Sequence, residues 1–196
     1  RGPILADGHV RFSGEAVACV VADSVAQAAD ALGLIAVDYE PLRSVTDTGR
    51  AIGGAPVWPQ APDNICFDWS AGDQAATEPS FAGAAHTVCL DIVNNRVAVA
   101  PIETRCAWGR YDASADRYVL HTPSQGVFFI RDCLAVQVFH VPPERSKVMT
   151  GDVGGAFGMK IVPYPEHACV LWAAKVTGRP VVWISERSES FLTDTH

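Results

Sequence analysis

No C-x-x-C pair occurs anywhere in this chain, and its six cysteines (Cys19, Cys66, Cys89, Cys106, Cys133, Cys169) stand 17 or more residues apart. Iron–sulfur clusters and zinc knuckles need closely spaced thiolates, so neither is expected within these 196 residues. The thiols read instead as buried and reduced, since most have apolar neighbours, as in Val17-Ala18-Cys19-Val20-Val21, and that usage suits the cytoplasm. Histidines are scattered too. Glu166-His167 has no second histidine four residues on, so no metal pair is expected on one helical face, and all six histidines read as structural or exposed. No apolar run approaches the about 18 residues of a membrane span. Basic runs are missing as well: 15 Lys and Arg against 22 Asp and Glu leave a net charge of −7, which argues against nucleic acid as a partner. There is no internal repeat. The chain starts at Arg1 with no signal-peptide pattern, and Ser188 to His196 reads as a helix start cut short, so a fragment is expected.

What is present suits a globular α+β protein. Ala16 to Ala22 is an apolar run of strand length; Asp23 or Ser24 offers an N-cap, Val25, Ala28, Ala29 and Leu32 fall at helical spacing, and Gly33 stops the helix. Leu34 to Tyr39 reads as a strand ended by Glu40-Pro41. Thr46 to Pro62, with Gly53-Gly54, Pro56, Pro59 and Pro62, reads as a linker or extended wrap. Thr87–Val93 and Arg96–Ala100 are expected to be strands about an Asn94-Asn95 turn, and Ala107–Tyr111 and Arg117–His121 strands about Asp112–Asp116. A helix over Val127–Phe139, a strand at Ser146–Thr150, a helix over Pro165–Val176 capped by Gly178, and a strand at Val181–Ser185 follow. Mixed in this order, they indicate α+β rather than a doubly wound sheet.

The most informative stretch is Gly151-Asp152-Val153-Gly154-Gly155-Ala156-Phe157-Gly158-Met159-Lys160. Glycine loses more backbone entropy than any other residue, so this density asks for positive φ angles or a backbone lying against something with no Cβ between. Strand, glycine turn and helix together form a cradle for a phosphate-bearing or flat cofactor; a plain structural turn is the other reading. Gln125, before Gly126 at the mouth of a helix, either caps that helix or orients an oxygen without adding charge. Phe157 is either a core plug or an aromatic wall for a substrate. Glu103 and Arg105 form either an acid/base pair or an internal salt bridge.

Taken together and in order, these segments resemble the large subunits of the molybdenum hydroxylases (xanthine dehydrogenase, aldehyde oxidase and aerobic carbon monoxide dehydrogenase). Asp152 to Lys160 resembles their glycine loop, and Pro101-Ile102-Glu103-Thr104-Arg105 their Pro-x-Glu-x-Arg segment. Ser124-Gln125-Gly126 with Arg131-Asp132-x-Leu134-Ala135 is similar to their active-site Gln strand and helix. Val10–Glu15, Val37–Leu42, Arg179–Trp183 and Glu186–Glu189 extend the similarity over nearly the whole chain.

The resemblance implies the end of an α/β-hammerhead domain (1–50), a linker (51–82) and the first part of a molybdopterin-binding domain (83–196). It implies that Gln125 hydrogen-bonds an oxygen ligand of molybdenum. It further implies that Gly154, Gly155, Ala156, Phe157 and Gly158 lie against the metal–pterin group, in its cytosine dinucleotide form, with Phe157 facing the substrate. The whole enzyme would hydroxylate or oxidise a small carbonyl or heterocyclic substrate with water-derived oxygen, passing electrons to iron–sulfur and FAD centres on partner subunits. The family's general base lies downstream of His196, so these residues alone are expected to be inactive. Two departures stand out: Ala156 replaces a third glycine, and Ile161 stands where purine-oxidising members carry a substrate-holding Glu. The competing readings are a non-catalytic nucleotide- or phosphate-binding α+β module and a non-catalytic scaffold.

Overall fold

The computed structural model describes residues 3–195, which fall into two compact units: Asp38–Asn95, and the remainder of the chain. In the larger unit, helix α1 (Val25–Leu32) starts where expected, with Ser24 Oγ accepting the Gln27 N–H, and ends at Gly33. The flanking runs 16–22 and 34–39 are not strands. They meet no ladder partner among the described residues, and a strand exists only through a hydrogen-bonded neighbour.

Within Asp38–Asn95, the Pro/Gly-rich wrap is tied internally. Asn64, at φ 57°, accepts the Val57 N–H at 2.8 Å through Oδ1 and donates through Nδ2 to the carbonyls of Ala51 and Ala55. The unit also holds α2 (Gln74–Ala82), capped by Asp73 accepting the Ala76 N–H. Pro79 inside it hid this helix from the sequence pattern. The expected hairpin of Thr87–Val93 and Arg96–Ala100 does not form; both runs are unladdered for the same reason as 16–22.

From Cys106 onward the sequence reading holds closely. A four-stranded sheet has the order β3-β2-β1-β4, where β1 is Cys106–Asp112, β2 Arg117–His121, β3 Ser146–Met149 and β4 Val181–Ile184. β1 pairs antiparallel with β2 (Trp108 opposite His121) and with β4 (Ala107 opposite Trp183), while β3 runs parallel to β2. The β2–β3 crossover carries α3 (Val127–Asp132), which continues as a π-helical stretch, Cys133–Val138, rather than one regular helix. The wider turn ends with the Phe139 ring stacked on Tyr118, centroids 4.3 Å apart. α4 (Pro165–Thr177) lies on the sheet and ends at Gly178 in the left-handed conformation, and α5 (Arg187–Thr193) follows β4.

Leu120, Ile130, Leu134 and Leu171 are fully buried between the sheet, α3, the π-helical stretch and α4. Each such side chain stabilises by about 1.5–3 kcal/mol. Because α1 and α2 bury no residue fully, the sheet with its helices carries the fold and is the scaffold on which the glycine loop is hung.

Candidate functional site

The loop leaves β3 and is fixed first by Glu103. The Glu103 N–H donates to the Gly154 carbonyl at 3.0 Å, and Glu103 Oε2 accepts the Gly154 N–H at 3.0 Å. A methyl on Gly154 would lie 2.6 Å from Glu103 Cβ, so this glycine is required by close approach. Lys160, its side chain 1% exposed, closes the arrangement by donating from Nζ to Glu103 O at 3.0 Å and Oε2 at 2.8 Å. Burial works against the Glu103 carboxylate, but the Lys160 hydrogen bond, the Gly154 N–H and the ammonium charge together hold it below the usual carboxylate range. The expected Glu103–Arg105 pair is therefore wrong: Glu103 belongs to Lys160.

Gln125 grips the other end of the loop. Its N–H donates to Lys160 O at 3.0 Å and its Oε1 accepts the Gly158 N–H at 3.0 Å. It does not cap α3, whose N-cap is Gly126 without any side-chain hydrogen bond. With Oε1 assigned by that network, the two Nε2 hydrogens meet no acceptor among the described residues. The N–H groups of Gly155, Ala156 and Phe157 likewise donate to nothing there. Gly155 and Gly158 take φ 98° and 95°, and Phe157 sits at φ 49°, a strained value for a bulky residue. Phe157 is 67% exposed, which rules out the core plug. Ile161, three residues on, is also exposed. The loop thus presents an aromatic ring and unpaired backbone donors on a single short stretch beside the Gln125 amide, positioned by Glu103, Lys160 and Gln125.

Beneath the loop lies a charge cluster that sequence reasoning missed. Arg105, 4% exposed, pairs through Nη1 with Glu166 Oε1 at 2.7 Å and through Nε with Asp194 Oδ1 at 2.9 Å, and its guanidinium covers the Tyr164 ring at 3.9 Å. One cation serves two buried carboxylates. Burial therefore raises both, Glu166 to about 7 against the partial relief from Arg105. Tyr164 Oη donates to Met159 O at 2.7 Å, which links this cluster to the loop.

The start of α4 is closed to anions. Pro165 has no N–H, the Tyr164 N–H goes to His167 Nδ1 at 3.1 Å, and Glu166 occupies the first turn. His167 is buried, and burial followed by the Arg105 charge lowers it to about 3, so it is neutral and its Nε2 hydrogen faces Thr122 Oγ1 at 3.1 Å. The phosphate cradle expected of a glycine turn feeding a helix is absent here. The cysteine expectation also needs correcting: only Cys133 is buried, whereas Cys19, Cys66 and Cys89 are exposed because they lie on unladdered segments.

Comparison with known proteins identifies the domain that carries this loop. Residues 57–196 match the molybdopterin cofactor-binding domain family, and residues 1–43 match the aldehyde oxidase and xanthine dehydrogenase α/β-hammerhead domain. The chain belongs to the molybdopterin-binding large subunits of the molybdenum hydroxylase family. It is 36% identical over 197 residues to the nicotine 6-hydroxylase large subunit of Paenarthrobacter nicotinovorans, covering 99% of this chain and 24% of that one. It is 33% identical to the carbon monoxide dehydrogenase large chain of Hydrogenophaga pseudoflava, covering 97% of this chain and 25% of the relative. The crystal structure of quinoline 2-oxidoreductase from Pseudomonas putida 86 superposes with a TM-score of 0.79 at 38% identity, covering 99% of this chain and 25% of that one. The chain thus spans about a quarter of the length of the relatives it matches.

Proposed function

We propose that this chain forms part of the wall that holds a molybdenum–pterin group in an oxidoreductase acting on a small carbonyl or heterocyclic substrate with water-derived oxygen. One observation carries the reading. Gln125 is bound to the glycine loop through Oε1 while its Nε2 remains available, so the amide is held rigidly with its donors free for an oxygen of a ligand.

The residues present fit such a group. Unpaired N–H groups at Gly155, Ala156 and Phe157 suit the oxygen-rich edge of a cofactor, and a Cβ at Gly158 would project into open space where a cofactor face would lie. When bound, the cofactor supplies the two-electron chemistry. This chain's residues supply placement: Gln125 donates to an oxygen, the loop Gly154, Gly155, Ala156, Phe157 and Gly158 borders the group with the open side of Gly158 admitting close approach, and the exposed Phe157 ring offers an apolar face to a substrate. On this reading 1–50 is the hammerhead end, 51–82 a connecting wrap and 83–196 the first part of the cofactor domain. The group is the cytosine dinucleotide form, and electrons pass to iron–sulfur and FAD subunits in the cytoplasm. These 196 residues alone are inactive, because a general base contributed from elsewhere is worth about 10²–10⁴ in rate. Nicotine, quinoline and carbon monoxide are what the relatives are named for, and Ile161 argues against a purine.

The alternative phosphate-binding module loses its main support with the closed α4 N-terminus. The test is metal and ligand loading of the protein purified from its own host. Stoichiometric molybdenum, with a cofactor-dependent rise in melting temperature that vanishes in Gly158→Val, is expected. Molybdenum-free protein, melting higher with added inorganic phosphate or nucleotide, would overturn the reading.

A further inference from the structure

Cys19 and Cys169 come from opposite ends of the larger unit and share one cavity. Cys19 sits on the unladdered run before α1, Cys169 on the second turn of α4, and both line a cavity of about 130 Å³ with Ala16, Val20, Val170 and Trp183 among its walls. Both sulfurs are free, and both residues line this one cavity. We propose that Cys19 and Cys169 are an oxidisable dithiol that peroxide converts to a disulfide, fastening the run before α1 to α4.

The arrangement meets the requirements of that chemistry. A disulfide requires the two sulfurs to close across this cavity to about 2.05 Å. α4 is fixed by the core, but the run carrying Cys19 has no ladder to break, so the movement falls on that run. Cys19 is exposed and is the attacking sulfur, since its interaction with the neighbouring Cys169 thiol lowers it to about 7 against the opposing effect of burial. The acidic groups facing the cavity are Glu166 on α4 and Glu189 on α5. Glu166 is itself raised by burial, which limits the negative charge beside the thiolate.

The step balances without any other reductant or oxidant. The Cys19 thiolate attacks one oxygen of hydrogen peroxide; the O–O bond breaks, giving Cys19 sulfenic acid and hydroxide. Cys169 sulfur then attacks the Cys19 sulfur, the S–O bond breaks, and the departing oxygen leaves as water with the Cys169 proton. Two thiols are oxidised by two electrons, and one peroxide is reduced to two waters.

The experiment treats the intact chain with one equivalent of hydrogen peroxide, quenches with an alkylating reagent and maps the peptides by mass spectrometry. A linked Cys19–Cys169 peptide is expected in wild type. Cys169→Ser is expected to stop at the sulfenic acid, trapped as a dimedone adduct on Cys19, while Cys19→Ser leaves Cys169 fully alkylated. Cys19 and Cys169 both recovered alkylated while Cys66 or Cys89 is oxidised would overturn the proposal. So would equal dimedone labelling of Cys19 in wild type and Cys169→Ser, since no resolving thiol would then be at work.

Discussion

Removing one partner of the Glu103–Lys160 pair strands the other, and the two partners are not stranded equally. Glu103→Gln keeps the shape and an acceptor for the Gly154 N–H but leaves an ammonium whose side chain is 1% exposed without its counter-charge. Lys160→Met keeps the volume and leaves a carboxylate that is 34% exposed, still bonded to Gly154 and able to reach water. A stranded buried charge costs about 3–5 kcal/mol, whereas a partly solvated one loses mainly its hydrogen bonds, about 1–2 kcal/mol after screening. Glu103→Gln should therefore destabilise by about 3 kcal/mol and Lys160→Met by about half that. The double variant should fall short of the sum by about 1 kcal/mol or more. Urea unfolding at pH 7.5 on all four proteins measures these values, and amide exchange at Gly154 reports whether the loop end has come free. Lys160→Met costing as much as Glu103→Gln, or strict additivity, would refute the claim that Glu103 and Lys160 act as one pin.

Arg105→Met should cost about 3–5 kcal/mol at pH 7.5, because Glu166 and Asp194 lose their shared cation, and less at pH 5, where Glu166, raised to about 7, has taken up its proton; denaturant melts at the two pH values check this. His167 and Glu166 act oppositely on acid stability. Unfolded protein protonates its histidine below 6.5 while the folded His167 waits until about 3, so stability falls with pH over that interval, by up to about 5 kcal/mol. Glu166 takes up its proton at about 7 when folded and 4.5 when unfolded, so its contribution is complete below 4.5 and is lost as pH rises to 7. The two offset between 4.5 and 6.5, leaving a net decline below 4.5 that a pH series of unfolding free energies should detect and that His167→Gln should flatten. Gln125→Ala in the cofactor-loaded enzyme should lower turnover strongly with molybdenum content unchanged; metal content falling in parallel with turnover would make the residue structural.

What could be read from the sequence is set by the distance over which a signal acts. Ser24 capping Gln27, the Asp112–Asp116 turn and the helix from Pro165 to Gly178 close over short reaches, and each stands where the residues put it. The runs 16–22 and 87–93 carry equally good strand composition, yet strand composition states only that an edge would be welcome, not that one exists. The same limit governs the site. Glu103 has Arg105 two residues away and Lys160 57 residues away, and the distant cation is its partner because the loop folds back on Pro101–Glu103 while Arg105 turns to α4 and α5. Nothing local distinguishes those outcomes. Gln125 makes the point most sharply: its position at a helix mouth was legible, but its task was not, because Gly126 occupies the N-cap and leaves the amide to the loop. A polar residue beside a helix start is read correctly only once it is known which backbone donors the rest of the fold brings to it.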